Sequence, residues 1–362
     1  MKVHPDEFAM ALEYSSTHDF EHLNPEQIHR VMVRGRELHK WFRTHARLHA
    51  AISVSSIGSI FMLDWLVWIV LARWFVAAVP GTWALILAAI FTGTVHSWLV
   101  YSLSIYSLHE GAAHNLIFPG TSPLSLAASF LSTNMCRLSA AEPEYYSECH
   151  MAHHSKFGTE DDSEFLNFIF PRRLWLNFLP LGSFFNYTDF FVHRRPAYTR
   201  SSATSGFIAA IYNGLYLFML YRFFGLLFTV IVILLMPHIG FYVDRMRQFT
   251  EHNLMPLENN GGARSLGVGF WGLLVGGGPW GQPCHLAHHM VASIPWYQQI
   301  ILHRHIVGLL TVTQRKQLLL KPIVGFPALL WASRESQITS HAPPRSESSP
   351  AMDHRHARST MH

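Results

Sequence analysis

The amino-acid sequence predicts an all-α fold: an integral membrane bundle of four transmembrane helices under a cytoplasmic helical cap that carries a histidine-rich di-metal site. Three observations predict it. The 362-residue chain is 49% hydrophobic and 14% aromatic but only 14% charged, against about 25% charged in soluble domains. Four apolar runs arrange themselves as two hairpins. And the phrase Cys149-His150-Met151-Ala152-His153-His154 returns as Cys284-His285-Leu286-Ala287-His288-His289, in a chain holding 25 histidines.

Residues 1–50 are a polar, cytoplasmic N-terminal helical segment. No apolar core follows Met1, so no cleavable signal peptide is expected. Asn24-Pro25 is a helix start, because Asn caps free backbone N–H groups and Pro suits the first turn. That helix carries Arg30, Arg34, Arg36, Lys40, Arg43 and Arg47, a basic collar on the cytoplasmic side of the first span.

Residues 51–334 form the membrane domain with its cap. Ile52 to Val79 is apolar, Pro80-Gly81 makes a tight turn, and Thr82 to Ser107 is apolar again. The second run is about 39 Å of helix at ~1.5 Å per residue, against a hydrocarbon core of ~30 Å. Its end therefore projects from the bilayer, with His109 and His114 at or beyond the water boundary. Asp64 lies inside the first run, where a carboxylate is costly, unless it marks an interfacial start.

Residues 108–205 hold two apolar stretches too short to span, Leu124–Leu131 and Leu174–Phe185, which suit the interface. Arg137, Lys156, Arg172, Arg173, Arg194, Arg195 and Arg200 make this loop basic. Gly206–Tyr221 and Phe223–Val243 form a second hairpin that turns around Arg222. Pro237 is expected to kink its second arm, which leads to Glu251-His252. The basic segments and all the histidine clusters then fall on one side, the cytoplasm by the positive-inside rule. The Gly-rich stretch 261–281 either lets backbone approach a site closely or is a flexible loop. Residues 335–362 are Ser-, Pro- and His-rich and read as a disordered tail.

Nine histidines stand out: His109 and His114 in a His-x4-His pair, His150, His153 and His154, the lone His252, and His285, His288 and His289. On a helix, residues three and four apart share a face, so each His-x-x-His-His copy presents its rings together. Neutral imidazole binds iron, copper or zinc, and nine rings exceed one ion and fit two. The net charge of +4 is small and scattered, which excludes a nucleic-acid surface. Cys136, Cys149 and Cys284 make no disulfide framework. Cys149 and Cys284 read as small buried residues beside the site, with a thiolate ligand as the alternative.

The order of the boxes on a four-span frame, His-x4-His, His-x-x-His-His, Glu-His, His-x-x-His-His, resembles the membrane fatty-acid desaturase family over roughly residues 50–310. Asp161-Asp162 after the second box and Ser293-Ile294-Pro295-Trp296-Tyr297 after the last are similar too. The resemblance implies two irons held by the nine histidines, dioxygen as co-substrate, and removal or hydroxylation of C–H bonds in a lipid or acyl chain. It implies Gln248 in the place where acyl-CoA desaturases put an asparagine that completes the site through water. Gln282-Pro283-Cys284 before His285 departs from the family pattern. The family also includes hydroxylases and ketolases, which the boxes do not separate from desaturases. Glu110, Glu148 and Glu251 adjoin box histidines and are candidates to orient rings or relay protons; they are equally readable as surface charges.

No cytochrome b5-like or ferredoxin-like segment is fused to the chain, so electrons would come from a separate carrier of that kind docking on the basic face. The expected location is a bacterial inner membrane, with the site and both termini cytoplasmic. An apolar chain would enter between the spans along Trp98, Tyr101, Ser102, Ile105 and Phe241, with Trp271 and Trp280; a stripe that only packs span on span is the alternative. From a different class, a histidine-rich metal transporter also fits the composition, although only His96 and His238 lie within spans.

Overall fold

The computed structural model describes residues 20–135, 142–157, 203–256 and 262–321, with Thr159, Asp162, Ala328, Leu329 and Trp331, and the backbone alone at positions 68, 69, 203–206, 209, 236–238, 241 and 245. The expected interfacial stretch Leu174–Phe185, Cys136, Asp161, most of the basic loop and the tail 335–362 lie outside the described residues. Regular structure among the described residues is helical, with one isolated β-bridge between Ser265 and Leu319.

Helix α1 (Pro25–Thr44) starts where the sequence places it. Asn24 accepts the Gln27 backbone N–H, and Gln27 returns a bond to the Asn24 N–H, a reciprocal cap that satisfies two otherwise orphaned donors. The Gln27 amide also donates to the Leu309 carbonyl at 2.8 Å and to Gln314 at 2.8 Å, tying α1 to the far end of the chain. Its inner face buries Val31 and Leu38. Arg30, Arg36, Lys40 and Arg43 stay exposed.

Helix α2 runs from Ala46–Trp65 through a π-helical segment, Leu66–Leu71, into Ala72–Ala78. Gly81, at φ 122°, makes the predicted turn. Helix α3 (Thr82–Ile105) continues into a second π-helical segment, Tyr106–Ala113. Helix α4 (Pro123–Asn134) leaves Leu124, Leu126, Phe130 and Leu131 exposed, as an interfacial helix would. Helix α5 (Pro143–Lys156) carries the first histidine repeat.

Helix α6 (Ala203–His252) has one internal break, at Gly225, with φ 81° and ψ 180°. That conformation is essentially closed to residues with a Cβ. The break is a reversal. Tyr216 stacks on His96 at 4.6 Å between rings, while Val232 lies against Gly93. In a straight helix, positions 216 and 232 would stand about 24 Å apart; here they face adjacent turns of α3. The second hairpin therefore exists, but it turns at Gly225 and not at Arg222, because the glycine supplies the backbone freedom that an arginine lacks. The backbone is helical through Pro237.

The second arm of α6 runs beside α3 in the same direction, since Gly93 meets Val232 and Tyr101 meets Asp244. The two helices thus deliver His109 and His252 to one end. Among the described residues, three helical stretches are long and apolar enough to cross a membrane: Ala46–Trp65, Thr82–Ala113 and Ala210–Leu235, the last containing the reversal. Leu63, Trp65, Leu87, Phe91, Phe218 and Leu234 remain exposed on them, a surface suited to hydrocarbon. Inside the bundle, Asp64 pairs with His96, which relieves the cost of a lone carboxylate there.

Four α-helices follow among the described residues, α7 (Phe270–Val275), α8 (His285–Met290), α9 (Trp296–Leu309) and α10 (Val312–Leu318), with a 3-10 turn at Pro279–Gly281. With α1, the last three helices enclose a second apolar cluster that includes Leu286, Ile294, Leu302, Ile306 and Leu318. Gly35 of α1 closes against Val291, where a Cβ would stand 2.6 Å from the valine side chain. This layer holds α8 rigidly beside the ends of α3 and α6.

Candidate metal centre

The nine histidines predicted from the sequence converge at that common end. The convergence of His109 and His114 depends on the π-helical segment. In an α-helix, residues five apart point about 140° away from each other. The wider π turn, in which the His114 N–H donates to the His109 carbonyl at 3.1 Å, brings both rings to one side, 4.7 Å apart. Helix α5 supplies His150, His153 and His154, and α8 supplies the second repeat.

Two groups result. His109, His114, His150, His154 and His288 offer one set of ring nitrogens within 4.8 Å of one another. His252 is shared by two further sets, one with His153 and His289 and one with Glu251 and His285. In the first centre the Nε2 atoms of His109 and His288 stand 3.0 Å apart, those of His150 and His154 3.0 Å, and those of His154 and His288 2.7 Å. In the second, His252 and His285 are 2.8 Å apart and His285 and His289 3.0 Å. Two nitrogens about 2.1 Å from a shared ion at right angles stand about 3.0 Å apart. Converging imidazole lone pairs at that spacing repel unless a cation or proton lies between them, so the residues present fit a bound metal.

Burial fixes the rings as neutral donors. Desolvation pulls His150, His252, His285, His288 and His289 well below the ordinary imidazole range, helped by neighbouring histidines, and brings His114 down to about 4. Hydrogen bonds fix the tautomers. His153 donates Nδ1–H to Asp162 at 3.0 Å, and His252 donates Nδ1–H to the Gly262 carbonyl at 3.0 Å, leaving both Nε2 atoms for metal. Gln299 of α9 approaches His288 Nδ1 at 3.3 Å. Tyr146 stacks on His150, and Phe157 closes over His153 and His289. Cys284 is buried and its thiol is pushed up to about 12 by desolvation, so it caps α8 as a neutral residue.

The three candidate carboxylates part company. Glu148 is exposed on α5, on the face away from the buried rings. Glu110 is buried, beside the backbone of Trp296. Glu251 is buried, accepts from Arg247 at 2.7 Å and stands 3.5 Å from His285 Nε2. Gln248 lines a small cavity between the two centres, together with Ile105, His109, His150, Arg247, Glu251, His252 and His285.

Of the proposed wall residues, Ile105 reaches this cavity. Tyr101 is buried, but its hydroxyl is engaged by Arg247 at 3.1 Å and Asp244 at 3.3 Å, and its ring lies against Gly277. Trp98 donates to the Leu274 carbonyl at 2.8 Å and packs with Trp280 beside Gly278. The glycines at 277 and 278, both at positive φ, allow this close approach, as the Gly-rich stretch suggested. Trp271 is exposed, edge-on to Phe270, and the Phe241 side chain lies outside the described residues.

The sequence reading missed Arg247 and the position of Gln282. Arg247 and Glu251 are four apart on a helix, a spacing that signals an ion pair, and that signal was available. Gln282 touches His109 from a left-handed backbone position, which sequence spacing does not reveal. Comparison with protein-family models, curated sequences and solved structures gives no match.

Proposed function

We propose that this chain is a membrane-bound di-iron oxygenase that acts on C–H bonds of a lipid or acyl chain, a desaturase in the first instance. The observation that carries the reading is the convergence of nine imidazoles into two adjacent groups at the shared end of two apolar helices. The first iron would be held by His109, His114, His150, His154 and His288, and the second by His153, His252, His285 and His289. Bound iron supplies dioxygen activation.

The residues of the chain do the rest. Asp162 and the Gly262 carbonyl orient ligand rings. Phe157 keeps water from the second group. Ile105 presents an apolar wall at the cavity, and a dry site is needed because inert C–H bonds compete poorly with water for an oxidant. A hydroxylase or ketolase uses the same parts.

In this reading the two arms of α6 each cross the membrane, which makes four spans. The exposed basic face of α1 and the metal-bearing end then lie in the cytoplasm, where a separate electron carrier docks. Metal analysis of the purified protein tests the proposal. Two tightly held irons per chain are expected, falling well below two in His153→Ala and His288→Ala. Loosely exchanging zinc in place of iron would favour a metal transporter.

A further inference from the structure

We propose that Glu251 is a metal ligand, so that the second centre is a mixed carboxylate–imidazole site while the first is all imidazole. The inference rests on the two-metal reading and extends it to the ligand set.

Geometry makes the assignment. Glu251 sits one residue before His252 on the last turn of α6 and is fully buried. Its Oε2 lies 3.5 Å from His285 Nε2, and the ligand atoms of Glu251, His252 and His285 fall within 4.8 Å of one another. A hydrogen-bonded Glu–His pair closes to about 2.7–3.0 Å. Two donors about 2.1 Å from a shared ion at an open angle stand about 3.5 Å apart. The separation is that of co-ligands. Arg247 explains why the carboxylate stays in place: it donates to the same Oε2 at 2.7 Å and is itself held by Tyr101 at 3.1 Å and Asp244 at 3.3 Å.

The chemistry follows from the donor set. With Glu251 the second ion would have four imidazoles and one carboxylate, and a hard oxygen donor beside imidazoles suits ferrous iron. An anionic oxygen donor also lowers the net charge of the second centre relative to the first. The two ions are therefore inequivalent, and the second is the one that discriminates against softer metals.

The test titrates the metal-depleted full chain in detergent with ferrous iron alone, under anaerobic conditions, and follows binding by chelator competition and by Mössbauer spectra of ⁵⁷Fe. Wild type is expected to give two irons per chain and two ferrous doublets of equal area. In Glu251→Gln one doublet is expected to persist and report an intact first centre, while the second ion binds at least ~10–100-fold more weakly. Arg247→Lys, which loosens the carboxylate without removing it, should weaken the same ion and spare the other. Glu251→Gln with two irons at wild-type affinity and unchanged doublets overturns the ligand assignment and leaves the two-metal reading standing. Wild type with fewer than two irons overturns both. Should Glu251→Gln fail to accumulate, infrared difference spectra of wild type on iron loading decide: a shifted carboxylate stretch is expected, and its absence contradicts the proposal.

Discussion

His114 donates its backbone N–H to the carbonyl of His109 at 3.1 Å, and this i→i+5 bond is what allows two residues five apart to bring their rings within 4.7 Å. Inserting one alanine after Ala112 should place the two histidines six apart and swing His114 away by about 100°. The expected variant is still membrane-inserted and keeps the second centre, but loses iron from the first. Iron content near two per chain in that variant would show that the π turn is not what positions His114.

Asp162 accepts the Nδ1–H of His153 at 3.0 Å, so in the proposed two-iron site it acts through that ring. Asp162→Asn should weaken iron binding by about 10–100-fold without abolishing it, the range found for outer partners of ligand histidines. Competition with a chelator of known affinity reads this directly. Affinity within about twofold of wild type would remove Asp162 from the site.

Acid should unfold the metal-free protein over a defined window. The buried histidines are held neutral by desolvation, His114 down to about 4, whereas an unfolded histidine titrates near ~6.5. As pH falls below ~6.5 the unfolded chain binds protons that the folded chain refuses, so stability falls with pH until the folded rings also titrate. Above that window neither state takes them up and stability is flat. Thermal midpoints of the metal-free protein in detergent should be constant from pH 8 to 7 and drop between pH 6.5 and 5. A flat profile to pH 5 would mean the rings do not carry this linkage.

The reversal at Gly225 sets the topology. Reporters fused after residue 50 and after residue 320 should both give cytoplasmic signals, while reporters inserted at Gly81 and Gly225 should both give the opposite one. A cytoplasmic signal at Gly225 with an opposite signal after residue 320 would end the four-span arrangement.

Much of this architecture was legible because it rests on local chemistry. Asn24 announces a cap, Pro80-Gly81 a turn, and the repeated phrase two sets of rings on helix faces. The rest depended on what surrounds a residue. Arg222 was read as a turn because its charge interrupts an apolar run, yet charge does not bend a helix, and Gly225 does. Tyr101 looked like a wall residue by its position on α3, but its hydroxyl found Arg247 from another helix. Glu148 and Glu251 look alike beside their histidines, and only packing leaves one exposed and the other buried among the rings.

The most direct test of the proposed activity compares the lipids of cells expressing the wild-type chain with those of cells expressing His288→Ala, grown under ¹⁸O-labelled dioxygen. The expected result is a new unsaturated, hydroxylated or oxidised acyl species that appears only with the wild type. Label in an added oxygen atom would identify hydroxylation or ketone formation, and an unlabelled new double bond would identify desaturation. Identical lipid profiles from the two strains, with the wild type carrying both irons and supplied with a competent electron carrier, would contradict oxidation of a lipid chain.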